Sequence, residues 1–334
     1  MTRRRTVAGL VTGGALAAVT GAGYLLHRTA MARWRVTEDE MAASARALPG
    51  DLEHHMVDVG DGGRIHVVER GAGPPIVLVH GVTLGVATWA PQLHHLADRH
   101  RVLAVGQRGH GRSVAGYDGY SLERLAEDLA EVLEACRVAG AVLVGHSMGG
   151  MVSQLLALEH PEAFHRHVAG LALVATAAGP LVPGPGGLTL AGTLALGAGR
   201  GLRYAERRGR GLFPVEDLAV WASRAAFGAR PDPLDVELTR SMIAAMAPAS
   251  MAGLLGPLLR FDVSDRVGGI DVPTKVVVGT RDILTPPRMA RALARAIPGA
   301  ELTEYPGCGH MVMLERPDEL DRLLDEFSLA LASD

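Results

Sequence analysis

At 334 residues, 48% of them hydrophobic, the chain is long enough for one sizeable catalytic domain with an inserted subdomain, and it gives no sign of two enzymes. A formal net charge of −3, with neither a basic patch nor an acidic tail, argues against nucleic acid as a partner. Two cysteines, Cys136 and Cys308, suggest neither a disulfide framework nor a cysteine-based metal site.

Arg3, Arg4 and Arg5 precede an uncharged, largely apolar run from Thr6 to Leu26 that ends at His27 and Arg28. At roughly 1.5 Å per residue, its 21 residues make about 31 Å of helix, matching a hydrocarbon core of ~30 Å. Residues 1–26 are therefore expected to form a single-pass membrane anchor. The leading arginines favour a cytoplasmic N-terminus and an extracytoplasmic catalytic domain, although Arg28, Arg33 and Arg35 dilute that bias. The alternative is a signal segment cleaved to release a secreted protein. Its small-x-small site, Ala30-Met31-Ala32, is poorly placed after Arg28, and a twin-arginine signal is matched only weakly. Residues 27–50, mixed in charge and closing on Pro49-Gly50, read as a linker.

The globular domain is expected over 51–334. Met56 to Val59 and Arg64 to Val68 flank Asp61-Gly62-Gly63, which predicts a hairpin. Short apolar runs then alternate with helical patterns. Ile76 to Val79, Val102 to Val105, Ala141 to Val144, Leu171 to Val174 and Lys275 to Val278 read as buried strands, and Glu301 to Tyr305 is strand-like. This alternation predicts an α/β fold with a mostly parallel eight-stranded sheet and helices on both faces. Ser121 is placed to cap a helix carrying Leu122, Leu125, Leu129, Val132 and Leu133 at helical spacing, and another helix follows Pro317. From about residue 177 to 261 the alternation stops. A Gly/Pro-rich segment gives way to helix-like sequence, read here as a lid insertion whose Trp221, Phe227, Met242 and Met246 are candidates to line an apolar pocket.

The chemistry centres on Gly145-His146-Ser147-Met148-Gly149, which follows a buried strand and opens a helix. With 42 glycines in the chain the pentapeptide alone is a weak signal, but the strand-turn-helix setting is what a nucleophile elbow requires. A serine hydroxyl is a poor nucleophile near neutral pH; it needs an adjacent base, and that base needs a carboxylate to hold its tautomer. Asp282, just beyond the strand Lys275 to Val278, and His310, after Glu301 to Tyr305, both fall in loops at strand ends. The order Ser147, Asp282, His310 is the expected one for such a sheet. Two backbone N–H groups must hold the oxyanion of acyl transfer. Met148, following the nucleophile, and Val82, after the strand Ile76 to Val79, are the natural donors.

Jointly, His80-Gly81 with Trp89 downstream, Arg108-Gly109-His110-Gly111-Arg112-Ser113, Gly145 to Gly150, Gly279 to Pro286 and Gly309-His310 resemble the α/β-hydrolase superfamily. The resemblance runs from about residue 55 to 332, and points to its lid-bearing group of esterases, C–C-bond hydrolases and cofactor-free haloperoxidases. One departure stands out: relatives usually carry an aspartate two residues before the Arg-Gly-His-Gly stretch, where this chain has Gly106.

No cofactor or metal is expected. His94-His95 and His165-x-His167 lack accompanying ligands at metal-site spacing and read as surface or helix-facing residues; His110 and His146 read as local hydrogen-bonding groups. The expected activity is serine-dependent cleavage of an apolar, small-molecule ester or related carbonyl compound. C–C bond hydrolysis, acyl transfer and perhydrolysis are alternatives within enzymes, and a ligand receptor retaining the triad is the alternative outside them.

Overall fold

The computed structural model describes Trp34, residues 36–181 and residues 215–333. The expected anchor at 1–26 and residues 182–214 of the expected lid lie outside the described residues. Among the described residues no single helix is long and apolar enough to cross a membrane.

Eight strands form one sheet: β1 (Glu53–Asp58), β2 (Arg64–Arg70), β3 (Pro75–Val79), β4 (Arg101–Gly106), β5 (Ala141–His146), β6 (Val168–Val174), β7 (Thr274–Gly279) and β8 (Glu301–Tyr305). Their spatial order is β1-β2-β4-β3-β5-β6-β7-β8. The opening hairpin β1–β2 and the β2–β4 pair are antiparallel, and every later pair is parallel. Strand sequences dictate this burial on both sides. Side chains alternate across a strand, so Val77 and Val79 enter one apolar cluster with Leu103, Val105 and Leu143, while Ile76 and Leu78 enter the opposite one with Val102, Ala104, Val142 and Val144. A near-continuous Val/Ile/Leu run is what a strand covered on both faces needs.

Helices supply the covers. Leu122–Ala135 starts at Ser121, whose hydroxyl accepts the Arg124 N–H at 3.0 Å, and buries Leu122, Leu125, Leu129, Val132 and Leu133 on the first face. Pro317–Ser333 puts Leu320, Leu324 and Phe327 on the second face. Each fully buried side chain of this size contributes about 1.5–3 kcal/mol relative to exposure.

Two points of topology locate the site. β3 has β4 on one side and β5 on the other, so the crossovers leaving this pair of strands diverge and open a crevice at their carboxyl ends. The register pairs Val79 with Gly145, which sets the loop after β3 beside the turn after β5. Helices Val215–Ala225, Pro233–Ala245 and Pro248–Arg260 are inserted between β6 and β7.

The stretch expected to be a linker is not free over its described part. Helix Glu38–Ala42 is closed by a Thr37–Glu40 capping box, and Trp34, Met41 and Leu48 pack on the second apolar cluster. Arg46 grips the buried Asp235 of the insertion with two bonds of 2.6 and 3.1 Å. Sequence reading missed this because Pro49-Gly50 marks a turn but does not say what the chain before it rests on.

Candidate active site

Ser147 sits between the end of β5 and helix Met148–Glu159 with φ 53° and ψ −118°. A non-glycine residue in this conformation is strained and persists only where neighbours over-determine it. They do so here. The Ser147 N–H donates to the Val174 carbonyl at 3.0 Å, and the Thr176 hydroxyl donates to the Ser147 carbonyl at 2.7 Å. The flanking glycines let the turn close: a Cβ on Gly145 would lie 2.6 Å from the Gly150 Cα, and one on Gly149 only 2.2 Å from the Val79 carbonyl oxygen.

That second close approach seats the elbow on the end of β3. A Cβ on Gly81 would stand 3.0 Å from the Ser147 Cβ, so the His80–Val82 backbone runs directly beside the serine. Among the described residues neither the Val82 nor the Met148 N–H is engaged in a hydrogen bond. The geometry leaves them as candidate oxyanion donors.

Asp282 and His310 come together across 28 residues. His310 Nδ1 lies 2.8 Å from Asp282 Oδ2, with both side chains buried. A carboxylate only accepts, so Nδ1 carries the proton and the Nε2 lone pair is left for a base's work. Asp282 is itself held by the Leu284 and Thr285 N–H groups on Oδ1, at 2.8 and 2.9 Å, and by the Thr285 hydroxyl on Oδ2 at 2.9 Å. Thr285 was not singled out in the sequence, although Asp-x-x-Thr spacing is the signal of such a self-closing turn.

Among the described residues no hydrogen bond joins the Ser147 hydroxyl to His310. What joins the two loops is His146, the neighbour of the serine. Its Nε2–H donates to the His310 carbonyl at 3.0 Å, and the two rings lie 4.7 Å apart between centroids. Nδ1 of His146 is buried without a hydrogen-bond partner among the described residues.

Two more buried imidazoles frame the β3 loop. His80 Nε2 accepts the Gln107 N–H at 3.0 Å, its Nδ1–H donates to the Gly81 carbonyl at 2.8 Å, and the Gln107 side-chain amide donates to the His80 carbonyl. His110 Nε2 accepts the N–H of Thr83, which has φ 65°, at 3.3 Å. Burial holds His80 neutral with its pKa pushed down to about 3, lowers His110, and carries His146 well below the ordinary imidazole value. The Gly106 position is also accounted for. A Cβ there would lie 3.3 Å from the Ser113 hydroxyl, which donates to the Gly106 carbonyl at 2.5 Å and accepts the His66 N–H at 2.9 Å. Ser113 thus supports this loop directly.

The four apolar residues read from the insertion part company. Met242 faces the β3 loop, its Sδ 3.9 Å from where a Gly85 Cβ would be. Phe227 is buried in the second apolar cluster, its backbone against Gly309. Met246 packs on the first cluster, and Trp221 is half-exposed. The other histidines bind elsewhere: His94 to the Ala47 carbonyl, His95 to Asp321 and His167 to the Val138 carbonyl.

An eight-stranded, mostly parallel sheet with a strained serine elbow and an Asp–His pair at its carboxyl edge defines a class, and the chain belongs to it: residues 74–317 match the α/β-hydrolase fold family. The chain is 32% identical over 258 residues to the RutD protein of Variovorax paradoxus, a candidate carbamate hydrolase, covering 76% of this chain and 91% of that protein. It is 30% identical over 272 residues to the pimeloyl-[acyl-carrier protein] methyl ester esterase of Aeromonas hydrophila, covering 78% of this chain and 98% of that one. Among solved structures, the thermophilic esterase of Thermogutta terrifontis aligns with a TM-score of 0.69 at 27% identity, over 84% of this chain and 99% of its own. The protein is an enzyme of the α/β-hydrolase family.

Proposed function

We propose that the protein is a serine hydrolase cleaving an ester or related carbonyl compound through Ser147, His310 and Asp282. The observation that carries this reading is the imidazole of His310, oriented by a fully satisfied carboxylate, lying over the residue that precedes the elbow serine. His310 Nε2 takes the Ser147 proton as Oγ attacks the carbonyl carbon. The Val82 and Met148 N–H groups hold the resulting oxyanion, and His310 returns the proton to the leaving alcohol as the acyl-enzyme forms. Water then repeats the sequence with His310 as base, releasing the acid and freeing the serine. No step needs a cofactor. Similarity to a methyl ester esterase and to other esterases supports an ester over other carbonyl compounds. Met242 beside the β3 loop supports an apolar substrate of small to medium size.

The test is a panel of activated esters of increasing acyl length. Turnover is expected in the wild type and none in Ser147→Ala, with a fluorophosphonate labelling the wild type alone. Wild-type rates in Ser147→Ala would end the proposal.

We further propose that residues 1–26 hold the catalytic domain at a membrane on its extracytoplasmic side. The support is the 21-residue uncharged run behind three arginines. Full-length protein is expected to stay in the membrane fraction after carbonate extraction and to be cut by added protease on intact cells. Recovery in the soluble fraction would refute it.

A further inference from the structure

Glu315 belongs to no part of the mechanism above, yet its carboxylate collects three donors from two separate segments. Oε1 accepts the Gly309 N–H at 2.7 Å and lies 3.6 Å from the Cys308 Sγ; Oε2 accepts the Gly228 N–H at 2.8 Å. Among the described residues no cation pairs with it, and burial raises its pKa. A half-buried acid served by main-chain donors, with no ion pair, is costly unless its position does something.

The two segments it joins are the His310 loop and the turn after the first described insertion helix. They touch backbone to backbone. The His310 N–H donates to the Ala226 carbonyl at 2.7 Å, and the Ala229 N–H donates to the Gly307 carbonyl at 3.3 Å. A Cβ on Gly228 would lie 2.0 Å from the Gly307 oxygen, and one on Gly309 would lie 2.5 Å from the Gly228 nitrogen, so both positions must be bare. The same glycines that allow this approach leave the loop poorly determined by its own backbone, with Gly307 already at φ 75°. A loop of this kind needs an external anchor to hold an imidazole within the few tenths of an ångström that proton transfer demands.

We propose that Glu315 is a positioning residue for His310, fixing the Gly307–His310 loop and locking the insertion turn at Phe227–Gly228 onto it as one body. The inference rests on His310 being the base. Its effect falls on the chemical step and not on substrate binding, because both carboxylate oxygens are taken up by the Gly309 and Gly228 N–H groups and the Cys308 thiol.

The experiment compares Glu315→Gln, which keeps one accepting oxygen and turns an NH2 toward the second donor, with Glu315→Ala and with Asp321→Asn. Asp321 is a buried acid of similar character whose hydrogen bonds go to Gln92 and His95, and not to the Gly307–His310 loop or the insertion turn. On an activated ester, Glu315→Gln is expected to lose at least tenfold in kcat with KM changed less than threefold, and to react with a fluorophosphonate correspondingly more slowly. Asp321→Asn is expected to keep kcat within twofold at a comparable drop in Tm. Retention of kcat in Glu315→Gln would overturn the inference, as would a kcat loss in Asp321→Asn that matches it at equal Tm. If Glu315→Ala does not fold, the Gln variant alone decides. Wild-type rates in His310→Ala would instead remove the underlying mechanism, an outcome distinct from either.

Discussion

Two buried aspartates in this protein are cradled almost identically and serve different ends. Asp282 accepts two backbone N–H groups, the Thr285 hydroxyl and the His310 imidazole. Asp61, in the turn of the opening hairpin, accepts the Gly63 and Asp118 N–H groups and two bonds of 2.6 and 2.9 Å from Arg108. Arg108 is fully buried and grips Asp128 with its remaining face, at 2.7 and 2.8 Å. The hydrogen bonds from Arg108 hold Asp61 well below the usual carboxylate range. Burial works against the Arg108 charge, but its bonds to Asp128 and Asp61 keep it above its ordinary value. The difference lies in the partner. A guanidinium never releases its proton at accessible pH, so the Asp61 cradle is architecture that ties the hairpin to the loop after β4. An imidazole exchanges its proton near neutrality, so the same cradle around Asp282 can serve chemistry.

The sharpest way to break the comparison is to remove what each cradle supports. Ser147→Ala should lower kcat on activated esters by about 10⁴-fold or more without moving Tm, measured by steady-state kinetics and calorimetry. Asp282→Asn should cost about 10³–10⁴-fold in kcat, because the amide no longer fixes the His310 tautomer. Arg108→Met should leave Asp61 as an uncompensated buried charge, with Asp128 keeping its pair with Arg124, costing about 3–5 kcal/mol and roughly 10 °C in Tm, while the folded fraction keeps its kcat. Should Arg108→Met abolish turnover in folded protein, the division between architecture and chemistry would fail.

Acid should unpick the imidazoles around the β3 loop. His80, His110 and His146 are depressed in the folded protein, whereas in the unfolded chain they titrate near 6.5. The unfolded state therefore takes up more protons below pH 6.5. Their contribution is complete above that pH and is lost on acidification, by up to about 1.4 kcal/mol per pH unit for each histidine. Tm should fall more between pH 6.5 and 5 than between pH 8 and 6.5; an equal change in both intervals would count against it. The smallest effect is expected from Thr285→Val, which removes one hydroxyl from Asp282 Oδ2 and should lower kcat by about tenfold, with Tm shifted by a few degrees.

Much of the fold was legible because burial on both faces of a parallel strand leaves a mark no surface loop imitates. Val77 and Ile76 are both apolar although they face opposite clusters, and the five such runs differ from the strands only at their ends. The elbow was legible for a related reason: the glycines at 145 and 149 record backbone contacts that any side chain would obstruct. Glu315 and the Arg46–Asp235 pair were not, because their partners lie 6 and 189 residues away and nothing in a polar residue's identity names its acceptor.

By itself, then, the sequence determined the order of strands and helices, the strained turn at Ser147 and the residue types at the ends of β3, β5, β7 and β8, since local sterics and side-chain alternation are written in neighbouring residues. Only the tertiary structure decided that His146 bridges to His310, that the stretch before the domain packs against the insertion, and that Gly228 and Gly309 mesh. Those depend on distances between segments far apart in the chain, which only the packing of the sheet, its covering helices and the insertion fixes.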